Sequence, residues 1–163
     1  MPNKTYFIDK KDQQLLNLLQ RQGRMTIAEL AEQVHLSDTP CLRRVKKLEQ
    51  SGVIKGYSAL IEPKTIGLQV QALAFIQIAG NTCASADVFE KAVSGLEEVI
   101  ECAVITGSYD YVLKIVAKDL ESYGAFLTNK IGIIPVVAKV ESTLTIKQVF
   151  SRTYLPIYES EEA

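Results

Sequence analysis

The residues best equipped for chemistry lie between positions 37 and 51 of the 163-residue chain. Leu42, Val45 and Leu48 recur at helical spacing, and at about 100° per residue they define an inward direction. Thr39, Arg43 and Lys47 then point away from the core, with Pro40 beside them and Arg44 and Lys46 on either flank. An outward guanidinium can hold guanine through two hydrogen bonds, and a threonine methyl can touch a thymine methyl. Arg44, Lys46 and Lys47 suit phosphate oxygens. Ser37 is read as the N-cap, so the leading amides of the helix would also face an anion. A basic stripe on one helix is often no more than a solvated face. The elements around it therefore matter.

Those elements read as a helical module. Leu15, Leu16 and Leu19 follow Ile8 at helical spacing, with Asp9 as a cap and Gly23 as a stop. Thr26-Ile27-Ala28-Glu29 is a capping box, in which hydroxyl and carboxylate satisfy each other's backbone amides. Ile27, Leu30, Ala31 and Val34 give a short amphipathic helix ending near His35-Leu36. The stripe-bearing helix follows and stops at Gly52. Pro40 falls in its first turn, where no intrahelical bond is lost. Two short helices across a tight turn, the second with a basic outer face, form a helix-turn-helix. Residues 53–61 read as one or two short strands that would make it winged.

Charge is divided along the chain. Residues 1–61 carry ten Lys/Arg against six Asp/Glu, and residues 62–163 carry eight against thirteen. A net of +4 thus precedes a net of −5, which suits one part that meets phosphate and one that does not. Hydrophobic content is 47% and charged content 23%, ordinary for a globular protein. No apolar run reaches the roughly 18 residues of a membrane span. The N-terminus, Met1 to Tyr6, lacks a signal-peptide apolar region, so a cytoplasmic protein is expected.

Other chemistry is thinly supported. Cys41, Cys83 and Cys102 are odd in number and have no CxxC, so reduced and mostly buried thiols are expected, with no disulfide or zinc site. The lone His35 has no partner at metal-ligand spacing. Glu97, Glu98 and Glu101 read as a solvated helix end and strand start. No phosphate-binding glycine loop or dinucleotide fingerprint is present, and no cofactor is expected.

After a linker at 62–69, marked by Pro63 and Gly67, strands and helices alternate. Residues 70–79 read as a strand and 85–96 as a helix with Val88, Phe89, Ala92, Val93 and Leu96 inward. Strands at 99–106 and 110–117 flank the turn Gly107-Ser108-Tyr109. Asp119 caps a helix with Leu120, Tyr123, Leu127 and Ile131 inward, and a last strand covers about 136–148. The order β-α-β-β-α-β is ferredoxin-like. The expected class is α+β: a winged helix-turn-helix over 1–61, a ferredoxin-like domain over 70–156, and an acidic tail over 157–163.

These segments carry a family resemblance. Residues 8–16, Gly23-Arg24, the run Thr39-Pro40-Cys41-Leu42-Arg43-Arg44-Val45-Lys46-Lys47-Leu48-Glu49, Gly52–Tyr57, Thr106–Tyr111 and the closing Ser142–Pro156 stretch resemble the Lrp/AsnC, or feast/famine, transcriptional regulators. The resemblance implies binding of double-stranded DNA, an amino-acid effector, dimerisation through the sheets and assembly of dimers to octamers. It implies an effector site at the turn Thr106, Gly107, Ser108, Tyr109 and Asp110. There, Gly107 would open backbone amides to a carboxylate, Asp110 would accept from an amino group and Tyr109 would give an apolar wall. The chain departs from the family pattern at Pro135-Val136-Val137, where the family has Pro-Gly-Val.

Three function classes remain at this point. One is a DNA-binding regulator that senses an amino acid or related small metabolite. A second is a nucleoid-structuring protein with no effector. A third is a small ferredoxin-like enzyme, for which no acid/base constellation is visible; no enzymatic activity is expected.

Overall fold

The computed structural model describes residues 6–80 and 82–159. Met1–Thr5, Asn81 and the end of the expected acidic tail lie outside the described residues. The chain forms two compact units. One contains residues up to Leu60 together with the segment from Phe150; the other spans Ile61–Val149.

In the first unit, α1 (Lys10–Arg21), α2 (Ile27–Gln33) and α3 (Asp38–Gln50) enclose one apolar core. Asp9 caps α1 by accepting from the Asp12 amide at 2.8 Å. Both halves of the Thr26–Glu29 capping box are made at the start of α2. Leu15, Leu30, Val34, Cys41 and Leu48 are essentially sealed from solvent. Each fully buried aliphatic side chain of this kind contributes roughly 1.5–3 kcal/mol. The strands expected over 53–61 do not pair with any described strand of the chain. The stretch carries a bend at Val53-Ile54 and no regular structure after it, and it is anchored where Ile54 N donates to Leu48 O and where the Tyr57 hydroxyl donates to Glu49 at 3.0 Å.

The turn between α2 and α3 is built by His35. Its φ is +53°, in the left-handed region. The His35 amide donates to Glu32 O and the Leu36 amide to Ala31 O. That pair of hydrogen bonds is a Schellman closure, with histidine where glycine is usual. It reverses the chain within four residues and starts α3.

In the second unit, β1 (Val70–Ile78), α4 (Cys83–Ser94), β2 (Val99–Val104), β3 (Tyr111–Ala117), α5 (Leu120–Phe126) and β4 (Val137–Leu144) follow the expected order. The sheet is antiparallel, in the order β2-β3-β1-β4. Strand residues alternate, so one face carries Ala72, Ala74, Ile76, Tyr111, Leu113 and Ile115 into the core beneath Phe89, Val93, Tyr123 and Phe126. The opposite face keeps Leu73 exposed and Phe75 half-buried. A π-helical turn, Leu127–Ile131, extends α5. It closes when the Gly132 amide donates to Leu127 O at 2.8 Å. A Cβ on Gly132 would meet that carbonyl at 3.2 Å, so the close approach favours glycine.

Some inward assignments need correction. Leu42, Val88 and Leu120 are exposed. Cys83 and Cys102 are exposed rather than buried, whereas Cys41 is buried; all three thiols are free. Burial, then nearby Asp38, pushes the Cys41 thiol up, which leaves it uncharged and inert. Among the described residues, no helix is long and apolar enough to cross a membrane.

Candidate DNA-reading surface and ligand turn

The buried face of α3 is Cys41, Val45 and Leu48, while Leu42 is 39% exposed. Replacing Leu42 by Cys41 turns the inward direction by roughly 35° at helical spacing. Thr39 and Arg43 now centre the outward face, and Lys46 and Lys47 flank it about equally. All four are exposed, and Pro40 is half-buried beside them. Ser37 has the extended backbone of an N-cap but makes no side-chain capping bond. Its carbonyl accepts from the Cys41 amide at 3.2 Å, so the cap there is backbone geometry alone.

The same rotation carries Arg44 toward α1. Its Nη1 donates to Asp9 Oδ2 at 2.6 Å and to Asp12 Oδ1 at 2.8 Å. Asp12 is only 3% exposed, and Tyr6 also donates to it at 3.3 Å. Hydrogen bonding to Asp9 pushes the Arg44 guanidinium up, against the cost of its burial. Burial works against the Asp9 carboxylate, but the Asp12 amide and Arg44 together leave it below its ordinary value. Arg44 therefore joins α3 to α1. Lys47 stacks over the Tyr6 ring at 5.2 Å. Arg43 and Lys46 have no side-chain partner among the described residues. Sequence reasoning missed Asp9 and Asp12 as partners because the contact spans more than thirty residues; their only signal was an acidic pair at the start of a helix.

The second site centres on the turn between β2 and β3. Thr106, Gly107 and Ser108 are exposed, and Gly107 has φ +120°. Backbone bonds pin the base of the turn: Ile105 N donates to Asp110 O, and Asp110 N donates to Ile76 O, each at 2.9 Å. The Asp110 carboxylate accepts from the Ile78 amide at 2.8 Å, across the bulge in β1. One of its oxygens is thus committed to holding the turn against β1. Tyr109 lies against Phe75, with ring centroids 5.7 Å apart. Its hydroxyl donates to Glu141 and accepts from Lys139 Nζ at 2.8 Å. Tyr109 draws the Glu141 carboxyl down and the Lys139 ammonium up. Lys139 and Glu141 come from β4, some thirty residues away, which hid them from the sequence. Among the described residues, no group of three or more His, Cys, Asp or Glu could hold a metal ion.

Residues 71–155 match the model of the Lrp/AsnC ligand binding domain, and residues 8–55 match a winged helix-turn-helix DNA-binding model. The chain belongs to the Lrp/AsnC family. This Lrp/AsnC chain is 39% identical over 145 residues to the leucine-responsive regulatory proteins of Escherichia coli and Salmonella typhimurium, covering 87% of each chain. Its structure is similar to a Neisseria meningitidis transcriptional regulator complexed with L-methionine, at TM-score 0.87 and 34% identity, covering 91% of this chain and 96% of that one. The feast or famine regulatory protein of M. tuberculosis, also complexed with L-methionine, superimposes at TM-score 0.81 with 29% identity, covering 88% and 95%. The Lrp/AsnC chain is accordingly a DNA-binding transcriptional regulator, with a winged helix-turn-helix unit and an α+β ligand-binding unit.

Proposed function

We propose that this regulator reads DNA with the outward face of α3 and answers to an amino acid bound at the Thr106–Asp110 turn. The observation that carries the first half is the pairing pattern on α3. Among the described residues Arg43, Lys46 and Thr39 are exposed and unpaired, while Arg44 holds Asp9 and Asp12 through Nη1. Arg43 reads a base and Thr39 with Pro40 makes apolar contact in the major groove. Lys46 and Lys47 hold phosphates, and the leading amides of α3 at Ser37 add a further anion contact. Arg44 orients the helix and is not assigned a phosphate.

The second half rests on the turn. The exposed Thr106, Gly107 and Ser108 amides bond to no described group, an arrangement suited to a carboxylate. Similar regulators complexed with L-methionine support an amino acid as the class of effector. Asp110 keeps one carboxylate oxygen for an ammonium group, and Tyr109 provides the wall. The role is binding rather than catalysis, in the cytoplasm with the DNA.

The open sheet face, with Leu73 and Phe75, is the dimer surface in this reading. Two copies of α3 then meet half-sites about one helical turn, ~34 Å, apart or a multiple of that. Dimers assemble further, to octamers, with the effector turns between them.

The test combines selection of bound DNA from a random pool with a thermal-shift screen of the twenty amino acids. A defined motif and a rise in melting temperature with one or a few amino acids are expected. Binding without sequence preference and no amino-acid shift would instead make the chain a DNA-structuring protein.

A further inference from the structure

The segment from Phe150 to Tyr158 leaves the sheet-bearing unit and joins the helical unit. The family model assigns residues up to 155 to the ligand-binding domain. The contacts of the segment point elsewhere. The Gln20 side chain on α1 meets Leu155 on both sides: the Leu155 amide donates to Gln20 Oε1 at 2.6 Å, and Gln20 Nε2 donates to Leu155 O at 3.1 Å. One side-chain amide thus stands in for a neighbouring strand. About two turns away on the same helix, Gln13 Nε2 donates to Ile157 O at 2.7 Å. The Ile157 side chain is half-buried against the core of the helical unit. Arg21 lies over the Tyr154 ring at 5.1 Å, and Arg152 sits near both Phe150 and Tyr154. Phe150, Arg152 and Tyr154 recur at the spacing of two that an extended chain requires to share a side.

We infer that residues 150–158 form a regulatory strap, docked on α1, through which the ligand-binding unit acts on the reading helix. The chain passes between the two units twice, at 60–61 and at 149–150. The second passage follows the end of β4 at Leu144 by five exposed residues, and β4 carries Lys139 and Glu141 beside Tyr109. The strap grips α1 at Gln13 and Gln20. The same helix presents Asp12 to Arg44, and Arg44 lies on α3. A shift in β4 therefore reaches Arg43 by a covalent route through residues 145–149 and the strap, and then through α1 and the Asp12–Arg44 pair. The hydrogen bonds are three, with a half-buried isoleucine and exposed ring contacts beside them, so release lies only a small free-energy step above the docked state. That is what a switchable element requires.

The strap follows from geometry alone, and only its effect on affinity rests on the DNA-reading assignment. Amide hydrogen exchange on the full chain separates the two. In the wild type, the Leu155 amide is expected to exchange at least about tenfold slower than an unprotected amide, the equivalent of one to two ordinary hydrogen bonds. Gln20→Ala and Ile157→Asp should each remove that protection, speed exchange in α1 and α3, and leave β1 and β3 unchanged. Gln20→Glu keeps the acceptor and loses the donor, so it should fall between. DNA affinity should drop severalfold in step with the exchange of α3. A Leu155 amide exchanging at the unprotected rate in the wild type would overturn the strap. So would variants that free Leu155 while α1 and α3 exchange unchanged. A wild type that binds no DNA would remove the reading assignment and leave the exchange result to judge the strap by itself.

Discussion

Arg43 and Arg44 are adjacent and chemically identical, yet the fold gives them different work. Arg43 faces outward with no described partner, and Arg44 is held by Asp9 and Asp12. Arg43→Ala should cost about 1–3 kcal/mol of specific binding and relax preference at one base, whereas Lys46→Ala should weaken all sequences alike and lower the salt slope by about one. Competition binding on selected and scrambled DNA at several salt concentrations separates these outcomes. Arg44→Met acts on stability instead. It leaves the nearly buried Asp12 without its cation and should destabilise the helical unit by about 1–3 kcal/mol in urea unfolding. A pH signature accompanies it. The folded Asp9 carboxyl lies below its ordinary value of 3.8, so its contribution is complete above that value and is lost as pH falls through the lower folded value. Melting temperature followed below pH 4 should drop less steeply in Arg44→Met than in the wild type.

At the scale of elements, most capping residues and the helix ends at Gly52 and near His35 were legible, whereas the conformation that closes α2 was not. Asp9, Thr26 and Asp119 cap their helices as their types and spacing predict. The end of α2 needed the backbone itself, since His35 carries the left-handed conformation usually given to glycine. An L-residue there costs about 1–2 kcal/mol, part of which glycine returns through its larger unfolded entropy. His35→Gly should therefore raise the stability of the helical unit by about 0.5 kcal/mol, measured by denaturant unfolding. A loss of stability would mean that the imidazole makes a contribution beyond the turn. The expected strands at 53–61 show the opposite case. Alternating apolar residues suggested a hairpin, but a strand exists only when another strand satisfies its amides, and none in the described chain does so.

For the whole molecule, the open sheet face is the feature that a single chain leaves unexplained. Leu73 and Phe75 lie on it, opposite the helix-covered face. Apolar side chains left on a sheet face that no helix covers offer a place for association. Phe75→Asp puts a charge on that face without entering the core beneath α4 and α5. With the proposed dimer on this face, light scattering of the variant should read a monomer where the wild type reads a dimer, with an unchanged circular dichroism spectrum. A dimer persisting in Phe75→Asp would move the association surface elsewhere.

The order of elements, the helix-turn-helix, the outward position of Thr39 and Arg43, and the position of the β2–β3 turn all follow from the sequence, because periodicity, caps and turn residues are local signals. Four matters were decided by tertiary structure: the rotation of α3 that exposes Leu42, the capture of Arg44 by Asp9 and Asp12, the pairing of Tyr109 with Lys139 and Glu141, and the return of residues 150–158 to α1. Each depends on groups brought together across tens of residues. Burial and pairing there are set by three-dimensional packing, which no local pattern encodes.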